Sequence, residues 1–208
     1  MTADLQTIVA LDLEGVLVPE IWVAVAERTG IDELRRTTRD EPDYDVLMRY
    51  RLDLLTRHGL TLPAVSDVIA GLEPLPGAAE FLDVLRTRSQ VVILSDTFEQ
   101  FAAPLMVQLG QPAIWCHRLE VDGDRITGYR LRIADPKRKA VEALQGLNFR
   151  VLAVGDSYND TAMLLAANPG FFLHAPDNVR TEFPQLQAFD GYAELLVAIT
   201  DALAPPPG

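Results

Sequence analysis

Asp12 and Glu14 close a short apolar run, Thr7-Ile-Val-Ala-Leu11, with a single residue between their carboxylates. Two acids at that spacing, where a strand gives way to a loop, either share one face or splay apart. Alone, they fit an acidic loop capping a helix as readily as a reactive centre. A second pair adds weight. Asp156 and Asp160 follow another apolar run, Val151–Val154, and lie one helical turn from each other. Gathering such acids at neighbouring strand ends is electrostatically costly unless a cation neutralises them, and hard oxygen ligands suit Mg²⁺. Asp12, Glu14, Asp156 and Asp160 are therefore the candidate metal ligands, and Mg²⁺ is the expected cofactor.

The cations are fewer and more telling. Lys137 follows Asp135-Pro136, an N-cap and first-turn signature. Lys137, Arg138 and Lys139 there oppose the helix dipole at about 0.3–1 kcal/mol each, which a nearby anion would offset; a solvated basic turn is the plain alternative. Arg51 has Leu47, Met48, Leu54 and Leu55 three and four residues away, so on a helix it sits in an apolar stripe. A guanidinium so placed must find an anion or snorkel out. Arg49 lies about 200° round that helix, between Asp45 and Asp53, and reads as a surface ion-pair residue. Arg51 is thus the candidate for a substrate carboxylate, with a buried structural pair as the alternative. Glu20, in the first turn after Pro19, suits the dipole without further purpose. Ser95 after Val91–Leu94 is ordinarily a turn or cap residue. His58, His117 and His174 are too scattered to suggest a metal site.

The elements that must carry these residues follow from pattern. Three runs, Thr7–Leu11, Val91–Leu94 and Val151–Val154, lack polar alternation, as strands buried on both faces do. Helical patterns such as 78–88 and 136–144 lie between them. The alternation predicts a doubly wound, parallel α/β sheet, in which ligands bind at the carboxyl ends of strands. Residues 16–75 are more chain than one crossover needs. Pro19 and Gly30 bracket one helix, Asp43 caps a second running to Gly59, and Pro63 opens a third. The predicted organisation is a Rossmann-like core, residues 1–15 and 76–208, with an inserted helical cap, residues 16–75. Asp122-Gly123 marks a hairpin turn within 119–133.

Composition narrows the function classes. The 208 residues carry 18 Lys and Arg against 30 Asp and Glu, a net charge of −12. That sign repels a phosphate backbone, and no basic run with interleaved aromatics is present, so nucleic acid is not expected as a partner. A bound phosphate would need local cations and a metal. No apolar run is long enough to span a membrane. The acidic start before a short apolar run speaks against a secretory signal, and one cysteine, Cys116, builds neither a disulfide nor a thiolate metal site. A cytoplasmic protein is expected. The tail, Pro205–Gly208, is expected to fray.

Taken in order, Ile8–Val16 with its Asp12-Leu-Glu14, Ile93-Leu-Ser95-Asp-Thr97, Lys137, and Gly155-Asp-Ser-Tyr-Asn-Asp160 resemble the four motifs of the haloacid dehalogenase-like superfamily, and within it the phosphoserine phosphatase family. The likeness spans nearly the whole chain. It implies that Asp12 is the nucleophile that becomes phosphorylated. Glu14 would protonate the leaving group and then activate water, and Ser95 would hold a phosphate oxygen, with Asp96 beside it among the substrate-binding residues. Lys137 would neutralise phosphate and nucleophile, Asp12 and Asp156 would hold Mg²⁺, and Asp160 would support them from behind. Glu20 and Arg51 would read the amino and carboxylate groups of phosphoserine, with Asn159 as a further polar contact. Glu14 departs from the Asp usual in the superfamily. The stretches DLEGVLVPEIW, PDYDVLM, VVILSDTF and GDSYNDT resemble a branch that also passes phosphate from phosphoserine to homoserine. The resemblance places the activity in serine biosynthesis and leaves a homodimer open. A phosphatase of a sugar phosphate or nucleotide, or a phosphate- or metal-binding protein without turnover, are the competing readings.

Overall fold

The structure is a computed structural model, and it describes residues 5–37, 40–41 and 43–204. The tail expected to fray, Pro205–Gly208, lies outside the described residues, as does Pro42 of the PDYDVLM stretch. Seven strands form one sheet: β1 (Thr7–Leu11), β2 (Gln90–Phe98), β3 (Ala113–Asp122), β4 (Arg125–Arg130), β5 (Arg150–Gly155), β6 (Gly170–Leu173) and β7 (Gln187–Phe189). Their order is β4-β3-β2-β1-β5-β6-β7, and every neighbouring pair is parallel except β3 with β4. The chain thus builds outward from β1 in one direction, then returns to build in the other. β1 is the switch point at which a doubly wound sheet opens a crevice.

Alternation along β1 distributes the core. Val9 and Leu11 join the larger apolar cluster with Ile93, Leu152 and Val154, whereas Ala10 joins the smaller one with Val92, Leu94 and Ala153. Both faces are covered, which is why these strands read as continuous apolar runs. α4 (Ala78–Arg86), α5 (Glu99–Gln108) and α9 (Tyr192–Leu203) lie against the first cluster; α6 (Pro136–Gly146) and α7 (Thr161–Ala166) lie against the second. α8 (Asp177–Glu182) links β6 to β7.

Between β1 and β2 the described chain holds α1 (Ile21–Thr29), a 3₁₀ turn (Asp32–Arg35), α2 (Tyr44–Arg57) and α3 (Leu62–Ala70) ahead of α4. The Leu75 N–H donates to Leu17 O at 2.9 Å, closing this excursion at its root. Local chemistry accounts for its helices. Asp43 caps α2, its side chain accepting from the N–H groups of Asp45 and Val46, and Thr61 caps α3. Gly30 ends α1 in the left-handed conformation, φ 72°.

Several sequence expectations need correction. Pro19 precedes α1 instead of entering it, and Glu20 takes the N-cap position without a capping hydrogen bond. The hairpin turns on Gly123-Asp124, since Asp122 already pairs with Arg125. Asp135 stands at the N-cap of α6 but caps nothing; its φ of 52° is left-handed, and its carboxylate accepts from Arg138 instead. Arg49 loses both predicted partners: Asp53 pairs with Arg57 at 2.8 Å, and Asp45 accepts from the Tyr129 hydroxyl.

Candidate active site

The register brings the acids together. Leu11, the last residue of β1, pairs with Val154 on one side and Ile93 on the other. The next residues along each strand are therefore neighbours: Asp12, Ser95-Asp96 and Gly155-Asp156. Asp12, Asp156 and Asp160 are buried, and one carboxylate oxygen from each lies within 4.8 Å of the others. Lys137, from the first turn of α6, reaches in with Nζ 2.8 Å from Asp12 Oδ1 and 2.7 Å from Asp160 Oδ1; Asp96 Oδ2 is 3.7 Å away.

Each acid is held differently. Asp12 Oδ1 also accepts from the Leu13 N–H at 2.8 Å. Asp160 is fully buried, and its Oδ2 accepts from the N–H groups of Asp156 and Ser157 at 2.9 and 3.2 Å. With Lys137 on Oδ1, its two oxygens carry three bonds to the protein, as a supporting acid should. Two glycines make room. A Cβ on Gly15, whose φ is 76°, would collide with the Asp156 carboxylate, and one on Gly155 would collide with Asp160.

The electrostatics report a deficit of positive charge. Burial, then the negative charge of Asp160, raise the Asp12 carboxyl well above its usual range, against the pull of Lys137. Burial and Asp160 push Asp156 up to about 7. Burial opposes the charge on Lys137, yet Asp12, Asp160 and Asp96 raise its pKa well above the usual value. Burial also works against ionising Asp96, but Lys137, His117 and Asn159 bring it down to about 2. One lysine is thus shared among several buried carboxylates. A hard dication fits this donor set, because oxygen ligands with uncompensated charge are what such an ion requires.

Glu14 is placed apart. Its Oε2 accepts from the Ile21 N–H at 2.9 Å, at the start of α1, and its side chain is not in the three-acid group. Glu14 stands among the candidate metal ligands with side chain or backbone left open, and here its side chain is engaged by the Ile21 N–H. Burial, then Glu20, raise its carboxyl to about 8, while the Ile21 N–H, Arg51 and Lys137 oppose the shift.

A cavity of about 90 Å³ joins these groups. Asp12, Glu14, Glu20, Arg51, Ser95, Asp96, Lys137, Asp156 and Asn159 line it, so nearly the whole predicted set meets in one place. Asp160 lies behind. Arg51 is buried and aimed at the cavity from α2, its Nη2 bonding Arg36 O at 2.8 Å; burial lowers its pKa to about 10. Ser95 Oγ accepts from the Thr97 N–H at 3.2 Å. Asn159 Nδ2 donates to Asp96 Oδ2 at 3.4 Å.

Sequence reasoning missed His117, Tyr44 and Trp22. His117 is buried, with Nε2 3.6 Å from Asp96 Oδ1, while its Nδ1 accepts from the Arg132 N–H at 3.2 Å. Tyr44 donates from its hydroxyl to Asp96 O at 3.0 Å. Trp22 lines the cavity beneath Arg51. Only Tyr44 and Trp22 gave a signal, as aromatics within a helix or so of a candidate residue.

A switch-point sheet thus gathers, at its carboxyl edge, three acids able to hold a metal and the lysine that reaches them. The haloacid dehalogenase-like hydrolase family model matches residues 7–168. The chain belongs to the haloacid dehalogenase-like hydrolases. It is 60% identical over 189 residues to phosphoserine phosphatase ThrH of Pseudomonas aeruginosa, covering 90% of this chain and 92% of that one. A phosphoserine phosphatase of Pseudomonas syringae pv. tomato is 59% identical over 90% of this chain and 80% of its own. Among solved structures, a substrate-bound phosphoserine phosphatase complex superposes with a TM-score of 0.76 at 19% identity, over 93% of this chain and 98% of that one. At that identity the superposition speaks for the fold alone. No helix among the described residues is long and apolar enough to cross a membrane.

Proposed function

We propose that this chain is an Mg²⁺-dependent phosphoserine phosphatase that works through an aspartyl phosphate on Asp12. The observation that carries the substrate is the meeting of Glu20 and Arg51 in one cavity with Asp12. An acid and a guanidinium flanking a phosphoryl site suit the ammonium and carboxylate of an amino-acid phosphate. A sugar phosphate or nucleotide lacks the adjacent ammonium and carboxylate that such a pair would read together.

Asp12 and Asp156 would hold the metal, with Asp160 supporting both. Mg²⁺ supplies charge neutralisation at the phosphoryl oxygens and at the crowded acids. The remaining work falls to the chain. Asp12 Oδ2, which takes neither the Leu13 nor the Lys137 bond, attacks phosphorus as the ester P–O bond breaks. Lys137 and Ser95 hold the phosphoryl oxygens. Glu14 gives its proton to the departing serine oxygen, then takes one from the water that attacks the aspartyl phosphate. Inorganic phosphate leaves and Asp12 is restored. Residues 16–75 serve as the cap, since Glu20, Trp22 and Arg51 all come from that segment.

Homoserine carries the same ammonium and carboxylate with one more methylene, so Glu20 and Arg51 would hold it as an alternative acceptor to water. A panel of phosphomonoesters with Mg²⁺, with and without homoserine, tests the reading. Phosphoserine should be preferred, and homoserine should divert part of the released phosphate into phosphohomoserine. Arg51→Ala should raise KM for phosphoserine by about 10–100-fold with a smaller change in kcat. Equal activity on glucose phosphates and phosphoserine would refute the substrate while leaving the chemistry standing.

A further inference from the structure

A buried guanidinium loses hydration that something must replace. Arg51 is 6% exposed. Its contacts among the described residues are few: Arg36 O, Met48 Sδ at 3.8 Å, and the face of Trp22, whose ring centroid lies 4.6 Å from Cζ. Glu14 and Glu20 act on it only through space. Nε is buried and has no hydrogen-bond partner. Nη2 is therefore tied to backbone and Nη1 to no more than a thioether sulfur, Cζ sits over the indole ring, and the Nε–H is without a partner.

Trp22 is itself fixed. It is 7% exposed and meets Phe101 edge to face at 5.6 Å between centroids. It stands one residue after Ile21, whose N–H holds Glu14, and two after Glu20. The start of α1 thus holds the leaving-group acid through the Ile21 N–H and supplies both the ammonium contact and the support beneath the carboxylate contact.

We infer that Trp22 is a positioning residue that sets the enzyme's selection for substrates with a carboxylate, by holding the plane of Arg51 so that its unpartnered N–H edge faces the bound amino acid. This rests on the reading of Arg51 as the carboxylate contact. A side chain that merely filled space at position 22 would leave the guanidinium free to turn toward Met48. The π face orients the cation without competing for its N–H groups, which a carboxylate at that position would do.

The test compares phosphoserine with phosphoethanolamine, which lacks the carboxylate. Trp22→Leu should lower the ratio of kcat/KM for phosphoserine over phosphoethanolamine by about tenfold, through KM for phosphoserine. Trp22→Phe, which keeps an aromatic face, should recover most of that ratio. The chain has two tryptophans, so the Trp115→Phe protein keeps Trp22 as its only one. Its fluorescence should change on titration with L-serine and not with ethanolamine, a readout that needs no change at position 22. An unchanged selectivity ratio in Trp22→Leu, or a fluorescence response equal for both ligands, overturns the inference. If Arg51→Ala still lowers the ratio in that case, only the role of Trp22 falls. If Arg51→Ala leaves the ratio intact as well, the carboxylate reading of the site falls with it.

Discussion

At the scale of single residues, the division of labour between Asp12 and Glu14 comes from what claims each carboxylate. Burial and then Asp160 raise the Asp12 carboxyl well above its usual range, but Lys137 and the Leu13 N–H bind it directly and favour its anion, as a cation beside it would. Glu14 lines the cavity beside Glu20, and burial, then Glu20, raise its carboxyl to about 8. Below that pH it would hold the proton that, on the proposed mechanism, the serine oxygen takes on leaving. Turnover should therefore decline as pH rises through about 8, where the proton is lost. Glu20 is a negative neighbour that helps keep the proton on Glu14. Glu20→Gln removes that charge, so Glu14 ionises more readily and the alkaline limb moves to lower pH. A kcat profile at saturating phosphoserine measures this; a limb that stayed in place or moved up would count against Glu14 as the proton donor.

At the scale of elements, the loop between β1 and α1 carries the strictest demand. Gly15 adopts a φ of 76°, and its missing side chain is the space that Asp156 occupies. Gly15→Ala would combine left-handed strain of about 1–2 kcal/mol with displacement of the Asp156 carboxylate. The expected outcome is a folded protein with activity down by roughly 10²-fold or more and weaker apparent Mg²⁺ dependence, read by circular dichroism and an Mg²⁺ titration of rate. Near-normal activity would show that Asp156 does not need its present place. Much of this level was legible beforehand. The runs at 7–11, 91–94 and 151–154 are buried on both faces and became the three central strands. β6 and β7 were missed because four and three residues are too short to show a period, and β3 because its polar hairpin end masked its role beside β2. The site was legible where motif and burial coincide, as at Asp12, Lys137 and Arg51. His117 was not, because only the pairing of Phe98 with His117 across β2 and β3 brings it to Asp96. Asp135 shows the limit of local signatures. Its sequence is that of a cap, but a left-handed backbone and Arg138 direct its carboxylate elsewhere.

At the scale of the molecule, three buried acids stand where they could hold a metal ion, and an ion held there would couple its binding to folding. Asp12, Asp156 and Asp160 are brought together only when β1 and β5 pair, so a cation that binds them binds the folded chain and not the unfolded one. At about a hundred times its Kd, such an ion contributes about 2.7 kcal/mol, which for a chain of this size raises Tm by roughly 5–10 °C. Adding EDTA should reverse the gain, and Asp156→Asn should blunt it. A melting temperature indifferent to Mg²⁺ would mean that the three acids are arranged for something other than a metal. The covalent step is tested most directly by acid-quenching the enzyme during turnover of ³²P-labelled phosphoserine and mapping the label. The expected result is up to one phosphate per chain, released by hydroxylamine, on the peptide containing Asp12, and absent from Asp12→Asn. Phosphate release that continues in Asp12→Asn, or a label found on Ser95, would contradict an aspartyl phosphate at the end of β1.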